Sequence, residues 1–322
     1  MNYKPIILVA GEPNSIFFEI LFKVYKKIKI KSPLILIASQ KLLYLQMKKL
    51  NFKKKIKVIN QEKIKDYKLN NDSINLINVD YDQKKAFEKI SNKSNDYIKK
   101  CFDIAIALIK SDFSNRLING PISKKNFLKK KFMGITELFA KKFDQQKVAM
   151  LIYNKELSVS PITTHLPIKN VASKITEKLI WEKIILIDNF YRKYIKLKPK
   201  IAITGLNPHC ESINKINEDE KIIKPTVKKL SKKGYKVSGP FSADTIFLKK
   251  NRKKFDVIVG MYHDQVLTPI KTIFEYDAIN ITLGLPFIRI SPDHGPNEQM
   301  VGKNLSDPLS LIKAITFFEK IK

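Results

Sequence analysis

Short apolar runs and amphipathic stretches alternate along almost the whole chain, and this alternation narrows the choice of fold more than any other feature. PIILVAG is followed by a helical pattern from Ser15 to Ile28, and PLILIAS by another through Leu50. KIKVIN and SINLINVD add two strand-type runs ahead of a long helix from about Asn95 to Lys110. Continuous apolar runs separated by helices predict βαβ units and a parallel sheet buried on both faces. RLINGPIS then reads as a strand running into a turn broken by Gly120-Pro121. The pattern changes after Met133. VAMLIYNKELSVSPITTH holds two β-type runs around a short polar turn, which predicts an antiparallel hairpin. Helix and strand then alternate again through WEKIILIDNFYRKYI, KIAITGL, KIIKPTVKKLSKKG, FDVIVGM and AINITLGL. Gly234 is the expected cap of the helix in KIIKPTVKKLSKKG, and Ser306-Asp307-Pro308 the expected start of the closing one.

A chain of 322 residues is long enough for two lobes. No uncharged apolar stretch reaches about 20 residues, so a membrane span is not expected. The opening MNYKPIILVAGEPNS turns polar too quickly for a secretory signal. The two cysteines, Cys101 and Cys210, form no CxxC, and a reducing cytoplasm is the expected setting. The formal charge of +31 is spread as lysine from end to end. Without an arginine cluster, zinc-finger spacing or aromatic–basic RNA motif, it predicts no specific nucleic-acid partner. A positive field does favour a phosphorylated substrate.

The four histidines, His165, His209, His263 and His294, each stand at the end of a β-type run. Carboxyl ends of strands line the ligand crevice of an open α/β sheet, so these imidazoles are expected to converge. Three neutral imidazoles with an open fourth position suit a catalytic divalent metal, zinc especially. Cys210 directly follows His209, and a buried spectator thiol is its simplest role.

Taken in order, NGPISKKNF, GITEL, TTHLPIKNV, ITGLNPHCES, GPFSADTIF, YHDQVLTPIK and NITLGLPFIRISPDHG resemble the 4-hydroxythreonine-4-phosphate dehydrogenase family of pyridoxal phosphate biosynthesis. The resemblance runs from about Ile118 to Gly295 and rests before that on strand–helix order alone. It implies two α/β/α lobes of the isocitrate/isopropylmalate dehydrogenase-like type with the active site in the cleft. The first lobe would take residues 1–132 plus 285–322, and the second, residues 133–284, would carry the metal histidines and the dimer contacts. It places the metal ligands at His165, His209 and His263 and makes the protein a homodimer in which a partner chain completes each metal site. It places substrate contacts at Thr136, Lys271, Asn280 and Arg289. Lys271 follows His263 by eight residues, and Arg289 lies in the apolar FIRIS, where its charge requires an anionic partner, ligand or carboxylate. Asp244 and Asp264 are candidates to orient an imidazole or relay a proton, Asp244 alternatively a helix cap. Lys271 and Asp244 are the expected catalytic side chains. His294 and Gly302 fall on the expected cofactor side, His294 alternatively as a structural hydrogen-bonding residue. The implied cofactors are NAD or NADP and one divalent ion, Zn, Mg, Mn or Co.

Three segments depart from the family pattern. A GDPAGIGPE-type turn reads GEPNSIFFEI here, so Phe17 and Phe18 are expected to reshape that edge. Ile135 stands where the family has a histidine, and PNEQMVGKN replaces a Thr-Ala-rich stretch. These departures keep two alternatives open: a dehydrogenase of a four-carbon phosphorylated hydroxy acid such as threonate or erythronate phosphate, and a non-catalytic metal- or ligand-binding descendant.

Overall fold

A computed structural model describes residues 3–127, 135–211, 217–292 and 294–321. The chain divides into two compact units, residues 1–138 with 286–322, and residues 139–285. The expected lobe boundary at 132/133 lies outside the described residues.

In the first unit the strands are β1 (Ile6–Val9), β2 (Leu34–Ala38), β3 (Ile56–Val58), β4 (Ile74–Asn78), β5 (Arg116–Asn119) and β12 (Ile288–Pro292). They lie in the order β3-β4-β2-β1-β5-β12, every pairing parallel. The continuous runs IILV and LILIA are buried at every position, as expected for strands with helices over both faces. Helices Phe17–Lys27, Gln40–Lys49 and Asn95–Lys110 follow β1, β2 and β4. Ser39 accepts from the Leu42 N–H and so starts the second of them. The closing helix Leu309–Lys320 starts differently from the sequence expectation. Asp307 accepts from Leu309 N, while the backbone N–H of Ser306 is taken by the buried carboxylate of Glu19. A carboxylate two residues ahead caps as well as a serine would, and Glu19 outcompetes water for the serine amide.

The altered turn after β1 is rebuilt as an apolar one. Gly11 adopts φ +77°, and an added Cβ would meet the Pro121 carbonyl oxygen at 2.3 Å, so this glycine has to remain. Beyond it, Phe17 is 1% exposed and presses on Gly120, where a Cβ would come within 2.7 Å of the ring. Phe18 stacks on Phe22 at 6.1 Å and Phe22 on Phe52 at 4.4 Å. Aromatic rings thus occupy the edge where the family pattern has glycines.

In the second unit the strands are β6 (Ala149–Tyr153), β7 (Ser158–Thr163), β8 (Ile201–Thr204), β9 (Val237–Phe241), β10 (Val257–Tyr262) and β11 (Ile279–Leu283). Their order is β11-β6-β7-β10-β8-β9. The expected hairpin is present: β6 pairs antiparallel with β7 and also with β11. The pairings of β7, β10, β8 and β9 are parallel. Helix Glu177–Phe190 is capped by Thr176. The helix Lys224–Lys232 is preceded by a wide π-type turn, Asp219–Ile223, because Pro225 has no N–H to close an ordinary one. It ends at Gly234, with Tyr235 N returning to Leu230 O.

Candidate active site

Parallel pairing of β7, β10 and β8 brings their carboxyl ends to one sheet edge, with Tyr262 in register with Thr163 and Val259 with Ile203. His165 lies just past β7, His263 opens the helix His263–Phe274 after β10, and His209 sits in the turn Pro208–Cys210 after β8. His165 and His209 adopt positive φ, 22° and 56°, a conformation that non-glycine residues keep only when their surroundings impose it.

The His165 and His263 rings are 5.8 Å apart, centroid to centroid, inclined at 37°. His263 donates from Nδ1 to Asp264 Oδ1 at 2.6 Å. A carboxylate only accepts, so the proton is on Nδ1 and the lone pair of Nε2 is left for another partner. Donor chemistry and spacing therefore fit a cation held by His165 and His263. His209 is not gathered with them: among the described residues no group of three or more His, Cys, Asp or Glu could hold a metal ion.

His209 lies instead beside Asp244. Asp244 is exposed and accepts from Ser242 Oγ at 2.6 Å. That hydroxyl, followed by the field of His209, keeps its carboxyl below the ordinary range. Ser242, not Asp244, is the N-cap residue of the short helix Ala243–Ile246. Lys271 is exposed, two turns beyond His263 on the same helix. Asn280, on β11, has a buried Oδ1 with no hydrogen-bond partner among the described residues, an acceptor that a ligand can satisfy.

Two polar residues not singled out in the sequence organise this edge. Gln265 Oε1 accepts from Met261 N at 2.6 Å and from Thr204 Oγ1 at 2.9 Å, while its Nε2 donates to Gly205 O at 2.8 Å. Asp219, 1% exposed, accepts from Leu206 N, Asn207 N and Asn207 Nδ2 at 2.7, 3.0 and 2.8 Å. Gly205 is the residue that fits between them, since a Cβ would come within 2.6 Å of Asp219 Oδ1 and 2.7 Å of Cys210 Sγ. Burial raises the Cys210 thiol above its ordinary range, in keeping with a spectator. The only local sign of Gln265 was its place in YHDQ, three residues into the helix, where a glutamine can reach back to the backbone.

In the first unit, Arg289 lies on β12, 4% exposed, and donates from Nε to Asn119 Oδ1 at 2.7 Å. Burial pulls its guanidinium down to about 10, against the opposing field of Glu137. Glu137, next to Thr136 at the start of helix Ile135–Lys142, is the carboxylate whose field opposes that shift. Glu137 Oε2 is buried and has no hydrogen-bond partner among the described residues. Ile135 is 6% exposed, a core residue in this chain. His294 Nδ1 is 3.0 Å from Gly295 O. Gly302, at φ +75°, stands against Phe87 in a loop whose next turn is tied down by Glu19, through Asn304 N and Ser306 N.

The family described as pyridoxal phosphate biosynthetic protein PdxA matches residues 29–318. The 4-hydroxythreonine-4-phosphate dehydrogenase of Sulfurihydrogenibium sp. (strain YO3AOP1) is 39% identical over 319 residues, 96% of each chain. That of Aquifex aeolicus (strain VF5) is 32% identical over 327 residues, 99% of this chain and 98% of its own. The crystal structure of the enzyme of that name from Klebsiella pneumoniae superposes with a TM-score of 0.83 at 27% identity, covering 98% of both chains. The mixed α/β fold is shared with it. This chain belongs to the PdxA family of pyridoxal phosphate biosynthetic proteins. Its class is that of an oxidoreductase, a dehydrogenase. Among the described residues no helix is long and apolar enough to cross a membrane.

Proposed function

We propose that this chain oxidises 4-phosphohydroxythreonine to 2-amino-3-oxo-4-phosphooxybutanoate with NAD or NADP and a divalent ion, Zn, Mg, Mn or Co. Loss of carbon dioxide then yields 3-amino-2-oxopropyl phosphate, a step in pyridoxal phosphate synthesis in the cytoplasm. Membership of the dehydrogenase family supports the reaction, and the observation that carries the site is the His165–His263 pair with Asp264 behind it. When bound, the cation supplies Lewis-acid stabilisation of negative charge on substrate oxygen, and the nicotinamide accepts hydride. His165 and His263 would hold the cation, with His209 supplied across a homodimer, which accords with its standing apart from the pair within one chain.

Asp244, kept ionised by Ser242 and His209, is placed to receive the hydroxyl proton by relay. Lys271 would pair with an anionic group of the substrate and steady its charge as the ketone forms. Asn280 would offer its buried acceptor, and Thr136 and Arg289, the latter held by Asn119, would bind the substrate as well. His294 and Gly302 are assigned to the dinucleotide. The two-lobe, isocitrate/isopropylmalate dehydrogenase-like fold is part of this proposal.

Purified protein supplied with Mn, Mg, Zn or Co should reduce NAD or NADP when given 4-phosphohydroxythreonine. A folded, metal-loaded dimer that gives no turnover with either nucleotide would remove the activity. A second reading, a four-carbon phosphorylated hydroxy acid as substrate, is favoured by one observation. Ile135 is packed into the core where the family pattern has an imidazole. Faster turnover of threonate or erythronate phosphate in a substrate panel would select it.

A further inference from the structure

We propose that Gln265 and Asp219 are positioning residues that fix the His209 turn and the His263 helix start, each toward the metal site it serves. This rests on the metal-site reading above. His263 begins its helix without a side-chain cap from the preceding Tyr262. Gln265, third in that helix, folds back onto β10 instead, where its Oε1 receives Met261 N, and so ties the helix start to the strand before it. The same oxygen receives the hydroxyl of Thr204, and Nε2 grips the Gly205 carbonyl, both at the end of β8. One amide side chain thereby joins two neighbouring strand ends. Both acceptor sites of its oxygen and one of its two N–H donors are used.

Asp219 works from the opposite side of the same turn. Its two oxygens absorb Leu206 N, Asn207 N and the Asn207 amide, two and three residues ahead of His209. Gly205 is caught between the two clamps, and the space for any larger residue is filled by Asp219 and Cys210. His209 follows this clamped stretch at φ 56°, so the clamp sets the backbone from which its turn departs. Neither Gln265 nor Asp219 needs to touch a metal or substrate. Each acts through a histidine-bearing turn, and loss of such a support typically weakens metal binding by about 10–100-fold.

The test is Co2+ titration of the full-length protein, read by the visible absorption of the bound ion and by thermal unfolding. Gln265→Met keeps length and removes all three hydrogen bonds. Gln265→Glu keeps the two bonds accepted by the oxygen and loses the one donated to Gly205. The expected order of Co2+ affinity is wild type, then Q265E, then Q265M, with Q265M down by about 10–100-fold and its absorption envelope altered. D219N should also weaken binding, because one of its oxygens becomes an N–H donor facing Asn207. If Q265M does not fold, Q265E decides. A folded Q265M or Q265E with wild-type affinity and spectrum, while His263→Ala loses the ion, would overturn the positioning role and leave the metal site standing. Wild type and H263A that bind Co2+ equally poorly would bring down the metal reading itself, and this inference with it.

Discussion

In the unit of residues 139–285 the candidate imidazoles stand at strand ends, half-exposed or exposed, and are steadied by buried and half-buried polar side chains behind them. Gln265, Asp219 and Thr204 are the supports, and the imidazoles are what they present. In the unit of residues 1–138 with 286–322 the order is reversed. Arg289, the candidate group, is itself buried, against Asn119 and in the field of Glu137, and the turn after β1 is filled by Phe17 and Phe18. The contrast teaches that polar support keeps side chains presented, whereas apolar filling keeps a backbone closed. The first unit has exchanged glycine-permitted approach of a ligand for packing at that edge.

The largest expected effect breaks the second unit's half of this comparison. His263→Ala should reduce turnover to background and abolish stoichiometric Co2+ binding while the unfolding temperature changes little, because the side chain is partly exposed and carries no core packing. Retention of activity would mean that the presented imidazole has no task. In the first unit, Arg289→Met should lower stability by about 3–5 kcal/mol in denaturant unfolding, since removing one member of a buried charged set strands the other. A neutral result would show that its charge adds nothing net to the stability of the fold. Phe17→Ala should cost about 3–5 kcal/mol as a buried aromatic deletion. If the ring does block nucleotide approach, calorimetric NAD affinity should rise or stay the same despite that loss; a parallel fall in affinity would count against the filled-edge view.

The smallest effect concerns Glu12, buried beside Phe17. Burial raises its carboxyl above the ordinary value, with Glu298 adding, and the Asn14 N–H and Ser94 hydroxyl pulling the other way. A raised acid binds its proton more firmly in the fold than in the unfolded chain. Its contribution is therefore full below the unfolded value and is lost as pH rises through the folded one. Relative to wild type, Glu12→Gln should gain unfolding temperature between about pH 4 and pH 8. A constant difference across that range would place Glu12 in contact with solvent.

Much of the scaffold was legible because local rules decide it. The runs PIILVAG and PLILIAS became parallel strands buried throughout, and the hairpin of Ala149–Tyr153 with Ser158–Thr163 followed from a polar turn between two apolar runs. The histidines could be placed at strand ends for the same reason. An anionic partner for Arg289, ligand or carboxylate, could be demanded from its apolar setting, but Glu137, whose field reaches it, could not be named because it is 152 positions away along the chain. The capture of Ser306 by Glu19, across 287 positions, was hidden in the same way.

What the residues determined alone is the set of elements, since periodicity and turn chemistry act over a few neighbours, and the membership of a family, since its motifs are short and contiguous. What waited for the tertiary structure is the pairing of His165 with His263 and the bonds of Gln265 and Asp219 at the same strand ends. Apart from the local bond to Met261, those bonds join residues 12 to 61 positions apart, and their energy exists only once the chain has folded back on itself.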